Sequence, residues 1–455
     1  MRERGDQETF QQVLNARPLA RYQLLLVGIL LFVLVLDGVD IQLLSLVAPV
    51  IIDEWGVERA DFGPALAGAL VGMSGGALVG GWLGDRYGRL PVLLFATVSF
   101  GIATALAGMT SSVAAMTVLR IFSGIGFGAA APNAIALANE WLPDRVRSQV
   151  TSLLSIGTPA GGMMGASLVL ICLPSFGWRG TFYACGLATI IVAIALYVFG
   201  RESPAFLASK GKSEEAARNA RQALGIAWVP HKAEPQHRAS FPKHKVGLLA
   251  RDNARLNAGA GLGFFTVAFV SYAFVAWTTV MLTGLGLPMG EAVGALFSFN
   301  LAATAAAVAA GFLVRRLGTR TVLAVASLLL ALTILILGFI LVSSTQSPNG
   351  VLVSILTGAI GGFAGAAMAS IYAMMAAGYP VECRAAGLGL GMMLGRAGGI
   401  LASLVGGHLL DAQDGTGWPF LGALAVAAAA AAGCAFVSDK HLLPLRAIGQ
   451  TSRLQ

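Results

Sequence analysis

The chain has 455 residues, of which 56% are apolar and only 11% charged, with a formal net charge of +8 and a mean hydropathy of +0.76. That balance leaves no room for a soluble domain of useful size and specifies an all-α polytopic membrane protein. The positive charge is spread over loops and carries no nucleic-acid signal, and Cys172, Cys185, Cys383 and Cys434 lie singly, without metal or redox spacing.

Apolar runs of about twenty residues or more predict membrane helices at 22–50, 62–84, 90–110, 113–138, 148–173, 180–200, 256–283, 291–314, 320–343, 349–377, 384–410 and 417–437. These make twelve transmembrane helices in two six-helix, pseudo-symmetric halves. The expected organisation is an N-terminal segment 1–21, a bundle 22–200, a linker 201–255, a second bundle 256–437 and a tail 438–455. The first run follows a polar lead and is too long for a signal-peptide core, so it reads as a retained span.

Lys and Arg stay on the cytoplasmic side of a membrane, and here Arg17, Arg21, Arg86, Arg89, Arg145, Arg147, Arg315, Arg316 and Arg320 fall on alternate loops. The linker holds eleven Lys or Arg against five acids, while the opposite loops carry Asp53, Glu54, Glu58 and Asp61, or Asp411 and Asp414. Both termini and the linker are therefore expected to be cytoplasmic, with the chain in the inner membrane. His231, His237 and His244 in the linker are too dispersed for a metal site, and Ser213 through Leu224 has the pattern of a capped amphipathic helix suited to anionic headgroups.

Asp37 and Asp40 stand in the middle of the first span. A carboxylate at the centre of a membrane helix costs roughly 2.5–3.5 kcal/mol. Two of them spaced i, i+3 share one helix face. They read either as structural acids capped by neighbouring donors or as a polar pathway that handles a proton or cation.

Two repeats link the halves. Shifted by 237 residues (361 − 124), Gly124, Gly128 and Pro143 fall on Gly361, Gly365 and Pro380, and Gly161-Gly162 on Gly398-Gly399. Where charge breaks that symmetry, Arg120 meets Thr357, Glu140 meets Ala377 and Pro159 meets Arg396. The spacing Gly72-x-x-x-Gly76-x-x-x-Gly80 is scaffold for close helix packing. After the second span, Gly81-Trp82-Leu83-Gly84-Asp85-Arg86-Tyr87-Gly88-Arg89 is echoed by Gly311-Phe312-Leu313-Val314-Arg315-Arg316-Leu317-Gly318, with Arg315 in the place of the acid.

The first copy resembles the signature of the major facilitator superfamily. Within it the chain resembles the aromatic acid:proton symporters over nearly its whole length: Asp37-Gly38-Val39-Asp40; Arg120 with Ser123 to Asn133 and the acid Glu140; Gly177-Trp178-Arg179; Glu202-Ser203-Pro204; and Tyr379-Pro380, Arg384, Gly387, Gly395-Arg396 and Gly398. The resemblance implies import of a benzoate-like or phenylpropanoid carboxylate with protons, no cofactor, and function as a monomer.

The residues can also be read without that resemblance. Arg120 lies about 10 Å into the fourth helix, at a depth comparable to Asp40, and is expected to pair with the Asp37/Asp40 region. Asp37, Asp40, Arg120 and Glu140 form the proton-coupling set. Arg396, near the midplane and unmatched in the repeat, suits a substrate carboxylate, because a guanidinium grips one with two parallel hydrogen bonds. Tyr272, Trp277, Asn300 and Tyr372 are candidates for the apolar walls and polar contacts of an aromatic acid. Asp85, Arg86, Arg147 and Arg384 form the gating set, with Asp85 accepting from bases such as Arg147, or simply anchoring its loop. Arg384 and Glu140 lie near cytoplasmic ends, where snorkelling or gating competes with contact to cargo. A carboxylate moving inward against a negative interior costs about 2.3 kcal/mol per 100 mV, which a proton on Asp37 or Asp40 cancels.

Two other readings stay open. Gly157-Thr158-Pro159-Ala160-Gly161-Gly162 partly resembles a motif of proton-driven drug exporters, although an exporter of cations needs no Arg396. A membrane enzyme with a metal at Asp37-Gly38-Val39-Asp40 would need further carboxylates close by, and the second and third helices supply none.

Overall fold

The computed structural model describes residues 9–228, 247–248, 250–343, 348–380, 383–412 and 417–442. His231, His237, His244 and Asp414 lie outside them. The helices are α1 (Phe10–Asn15), α2 (Arg21–Trp55), α3 (Arg59–Tyr87), α4 (Arg89–Ala107), α5 (Val113–Trp141), α6 (Asp144–Ser155), α7 (Gly157–Phe199), α8 (Pro204–Ser209), α9 (Ser213–Leu224), α10 (Ala254–Gly284), α11 (Met289–Leu317), α12 (Thr319–Ser343), α13 (Gly350–Gly378), α14 (Arg384–Asp411) and α15 (Trp418–Val437).

Eleven stretches among the described residues are long and apolar enough to cross a membrane. One of them, Asp144–Phe199, holds two crossings, because Gly177 adopts φ +65 inside α7 and turns the chain. The predicted fifth span was a single helix over 148–173. It is instead interrupted at Ile156, since Pro159 has no N–H to return to Ser155 and Gly157 weakens the same turn.

The halves repeat each other closely. Helix α5 maps onto α13 at both ends (113 + 237 = 350, 141 + 237 = 378), and α3 onto α11 with a shift of 230 (59 + 230 = 289, 87 + 230 = 317). Gly124 and Gly128 lie on the backbone of Ala69 and Met73, and their counterparts Gly361 and Gly365 on that of Phe299 and Ala303. A Cβ at any of the four would overlap a carbonyl, so these glycines set how closely the helices approach.

One face of the bundle carries the first and last described residues; we call it the terminal face. On that side each half has its own core, around Trp141 and Leu137 in the first and around Phe264 and Met374 in the second. On the opposite side one core runs through both, from Leu43, Val47 and Phe62 to Phe274, Trp277 and Leu296. Polar contacts between the halves follow the same division. Among the described residues they join Gln42 to Asn300, Ser45 to Thr279, and Arg59 and Ala60 to Asp411. The molecule is closed on the far side, and its halves part toward the terminal face.

Candidate functional site

Helix α2 carries Asp37 and Asp40 to the middle of the bundle, and their surroundings differ. Asp40 is fully buried and satisfied: Arg120 Nη1 donates to Oδ2 at 2.9 Å, Thr104 Oγ1 donates to Oδ1 at 2.5 Å, and Arg120 Nη2 donates to the Asp40 carbonyl at 2.9 Å. Arg120 thus finds its acid within its own half, with only its Nε left unpartnered.

Asp37 is equally buried, yet its Oδ1 has no hydrogen-bond partner among the described residues. The Thr158 side chain hydrogen-bonds the carboxyl, and Asp40 and, from the other half, Arg396 and Tyr272 lie within electrostatic reach. The approach is close because Gly38 and Gly161 leave room for backbone: Gly38 meets the Thr158 carbonyl and Gly161 the Val35 carbonyl. The interruption at Ile156 therefore falls beside the Asp37 carboxylate.

Arg396 is half-buried on α14, between Gly395 and Gly399. Both glycines lie under aromatic rings of α10, Gly395 under Phe264 and Gly399 under Tyr272. Phe264 in turn stands edge-on to Tyr372 with centroids 5.0 Å apart, and Tyr372 and Tyr272 are both within electrostatic reach of Arg396. Arg396 thus has Tyr272, Tyr372 and, from the other half, Asp37 within electrostatic reach, with Phe264 packed on the adjoining Gly395.

The structure places the other predicted residues as follows. Asn300 and Gln42 exchange two hydrogen bonds of 2.9 Å across the halves, and Asn300 Nδ2 also donates to the Leu296 carbonyl at 2.9 Å. Trp277 is fully buried in the far-side core, and its Nε1 donates to the Ser403 carbonyl at 3.2 Å. Glu140 is not brought to Asp37 and Asp40; it lies toward the terminal face, 3.4 Å from Arg89, which also pairs with Asp85. Arg147 does not reach Asp85 either. It pairs with Asp144 at 2.7 Å, one turn away, and with Gln11. Arg86 lies over the rings of Trp82 and Tyr87, 5.4 Å from each centroid, and Arg384 donates to the Tyr379 carbonyl at 3.4 Å.

Sequence reasoning passed over Gln42, Thr104, Thr158 and Phe264. For Gln42 a signal was available: a shift of 230 carries it to Tyr272 (42 + 230 = 272), and the two are structural equivalents, with Gly162 against Gln42 as Gly399 is against Tyr272.

The Major Facilitator Superfamily profile matches residues 30–346 and 262–450. The chain is 30% identical over 442 residues to the 4-hydroxybenzoate transporter PcaK of Acinetobacter baylyi, covering 94% of each. It is 30% identical over 440 residues to a gallate transporter of Pseudomonas putida, again 94% of each, and 27% identical over 395 residues to the 3-(3-hydroxy-phenyl)propionate transporter of Escherichia coli, 86% of this chain and 88% of that one. Among solved structures it is similar to a bacterial homolog of the human lysosomal transporter Spinster in an inward-facing and occupied conformation, with TM-score 0.70 and 17% identity over 92% of this chain and 97% of that one. It is also similar to the inward open xylose transporter XylE of E. coli, with TM-score 0.69 and 18% identity over 91% and 96%.

Proposed function

The chain belongs to the major facilitator superfamily and, within it, to the aromatic acid transporters, and from that premise we propose that it imports an aromatic carboxylate together with protons by alternating access across the inner membrane. The observation that carries this reading is the buried Asp37, with one oxygen lacking a hydrogen-bond partner among the described residues, within electrostatic reach of Arg396 and Tyr272 of the other half. Arg396 takes the substrate carboxylate in a charge-assisted, bidentate grip, while Tyr272 and Tyr372, joined by Phe264, supply the ring's walls. Asn300, engaged by Gln42 and the Leu296 carbonyl here, can reach cargo only when that bridge opens.

Coupling follows from competition for one cation. An ionised Asp37 and an anionic substrate both seek Arg396, so a proton on Asp37 releases the guanidinium to the substrate and also cancels the substrate's charge against the membrane potential, about 2.3 kcal/mol per 100 mV. Arg120 and Thr104 satisfy the Asp40 carboxylate, and together the three hold the helix that presents Asp37. With both termini cytoplasmic, as the loop charges suggest, the parting of the halves opens to the cytoplasm. Return to the outward state then breaks the Gln42–Asn300 and Arg59–Asp411 contacts and closes the terminal face, where Asp85, Arg86, Arg89, Glu140, Arg147 and Arg384 cluster.

Proteoliposomes with an imposed pH gradient test the reading directly. A labelled hydroxybenzoate should accumulate inside vesicles whose lumen is alkaline, and a protonophore should abolish the accumulation. Movement of substrate against the proton flux would instead make the protein an exporting antiporter.

A further inference from the structure

The two copies of the turn between the second and third helices of each half have diverged in charge. In the first, Asp85 pairs with Arg89. The shift of 230 puts Arg315 where Asp85 stands and Thr319 where Arg89 stands (85 + 230 = 315, 89 + 230 = 319). Thr319 is engaged with His441 Nδ1 and the Leu442 amide, each at 3.1 Å. Arg86 is covered by Trp82 and Tyr87, but its counterpart Arg316 is followed by Leu317 and has no ring beneath it among the described residues. Arg315 and Arg316 are exposed, and among the described residues neither has a carboxylate within 4.0 Å. Arg320 is turned elsewhere, over the Phe436 ring at 6.0 Å and toward the Ser438 carbonyl at 3.4 Å.

Between α11, α12 and α13 runs a groove of about 1680 Å³, whose lining reaches Leu317, the neighbour of Arg316 in the chain, and does not include Arg396. Ala302, Ala305 and Ala309 of α11, Val325 and Leu329 of α12 and Gly362 of α13 are among its apolar walls. It extends to Glu291 on the far side and to Leu317 and Thr321 near the terminal face. At about 100° per residue, Arg316 continues the row of Ala305, Ala309 and Leu313 along α11, so the groove has a carboxylate at one end and an unpaired guanidinium at the other.

We propose that this groove binds an anionic glycerophospholipid, its phosphate held by Arg315 and Arg316 and an acyl chain laid between α11 and α12. An apolar trough in a membrane takes hydrocarbon, and basic side chains between helix ends take anionic headgroups. Arginine matches phosphate geometry with paired hydrogen bonds. The charges fix the polarity: the anion belongs at the Arg316 end and is repelled from the Glu291 end. The site depends on the chain spanning a membrane and not on what it carries.

Native mass spectrometry of the full-length protein, titrated in detergent with phosphatidylglycerol or with phosphatidylcholine of the same chains, reads the site. Wild type should retain phosphatidylglycerol in preference to phosphatidylcholine, and R315Q/R316Q should bind phosphatidylglycerol about thirtyfold more weakly, at roughly fivefold per arginine. The R315K/R316K protein should recover most of the loss. Ala305→Phe, which fills the trough and keeps both charges, should weaken binding as well, and it carries the test alone if the glutamine pair does not fold. Equal retention by wild type and these variants overturns the proposal, as does phosphatidylcholine binding as well as phosphatidylglycerol. Full competition by glycerol 3-phosphate also overturns it, because the site would then be one for soluble phosphate.

Discussion

Arg120 closes on Asp40 twice, with Nη1 on the carboxylate and Nη2 on the backbone carbonyl, each at 2.9 Å. Asp37, one turn earlier on the same helix, is left with a buried oxygen that has no hydrogen-bond donor among the described residues. Two acids that look alike in sequence therefore face opposite consequences on neutralisation. Asp40→Asn strands a buried guanidinium, at a cost of about 3–5 kcal/mol. We expect a sharp fall in melting temperature and in yield, with partial recovery in the neutral pair Asp40→Asn/Arg120→Gln. A stable Asp40→Asn protein would remove the structural role assigned to the pair.

Asp37→Asn breaks no ion pair and gives the unpartnered position a group that can donate, so its melting temperature should match wild type. Transport should divide: exchange of labelled for unlabelled aromatic acid persists, while accumulation driven by a pH gradient is lost. Undiminished gradient-driven accumulation by this variant would remove Asp37 from the coupling step.

Much of the fold is legible in the sequence because a bilayer imposes length and apolarity on each crossing. The glycines that repeat at 237 residues, such as Gly124 with Gly361, are the points where helix backbones meet, so sequence register and packing register coincide. Counting depth at 1.5 Å per residue was enough to bring Arg120 toward Asp40. What was not legible depends on local competition. Arg147 prefers Asp144, held one turn away on its own helix, to Asp85 on another. Trp277 and Tyr272 lie on the same span, and only the packing decides that one ring is sealed against Ser403 while the other packs on Gly399 within electrostatic reach of Arg396. Gln42 is neutral and reads as filler until the far half supplies Asn300.

Arg396→Ala should leave the fold intact, since the side chain is half-buried and makes no ion pair among the described residues. Loss of a charge-assisted contact is worth about 2 kcal/mol, or roughly thirtyfold in affinity. The dissociation constant for an aromatic acid, read by calorimetry, should rise by that factor. Arg396→Lys should recover only part of it, because an ammonium cannot make the two parallel bonds. An unchanged constant in Arg396→Ala would place the carboxylate elsewhere.

Glu202 accepts from the amides of Leu90, at the start of α4, and Ser203, both at 3.0 Å. Burial nevertheless holds its carboxyl above the ordinary value, with Glu140 adding to the rise. A folded-state acid raised above its unfolded value binds its proton more readily when folded, so stability falls as pH rises through the window between the two values. Thermal melting should therefore show a component that gains stability as the pH drops through that window. Glu202→Gln should flatten it, and an identical profile in the variant would show that another group sets the dependence.

The Gln42–Asn300 exchange is the polar bridge between the halves that lies nearest the candidate site, and it occupies the position that Tyr272 and Leu70 share in the other half of the pseudo-symmetry (42 + 230 = 272, 70 + 230 = 300). One lateral seam is thus latched by amides and the other by an aromatic ring on an aliphatic chain. Amides rehydrate when separated, so the polar seam resists opening less than a buried apolar one does. Removing one partner changes this, because a buried amide left unsatisfied costs about 1–3 kcal/mol. In Asn300→Ala that cost falls only on the state in which the far side is closed, where Gln42 is sealed from water. The population should move toward the far-side-open state by roughly five- to a hundredfold. A cysteine placed at Ser45, beside the bridge, should then label faster with a membrane-impermeant thiol reagent than in the otherwise wild-type protein. In Asn300→Ala/Gln42→Leu, which removes both amides, labelling should return toward the wild-type rate. Equal labelling in all three would show that the bridge does not bias the equilibrium.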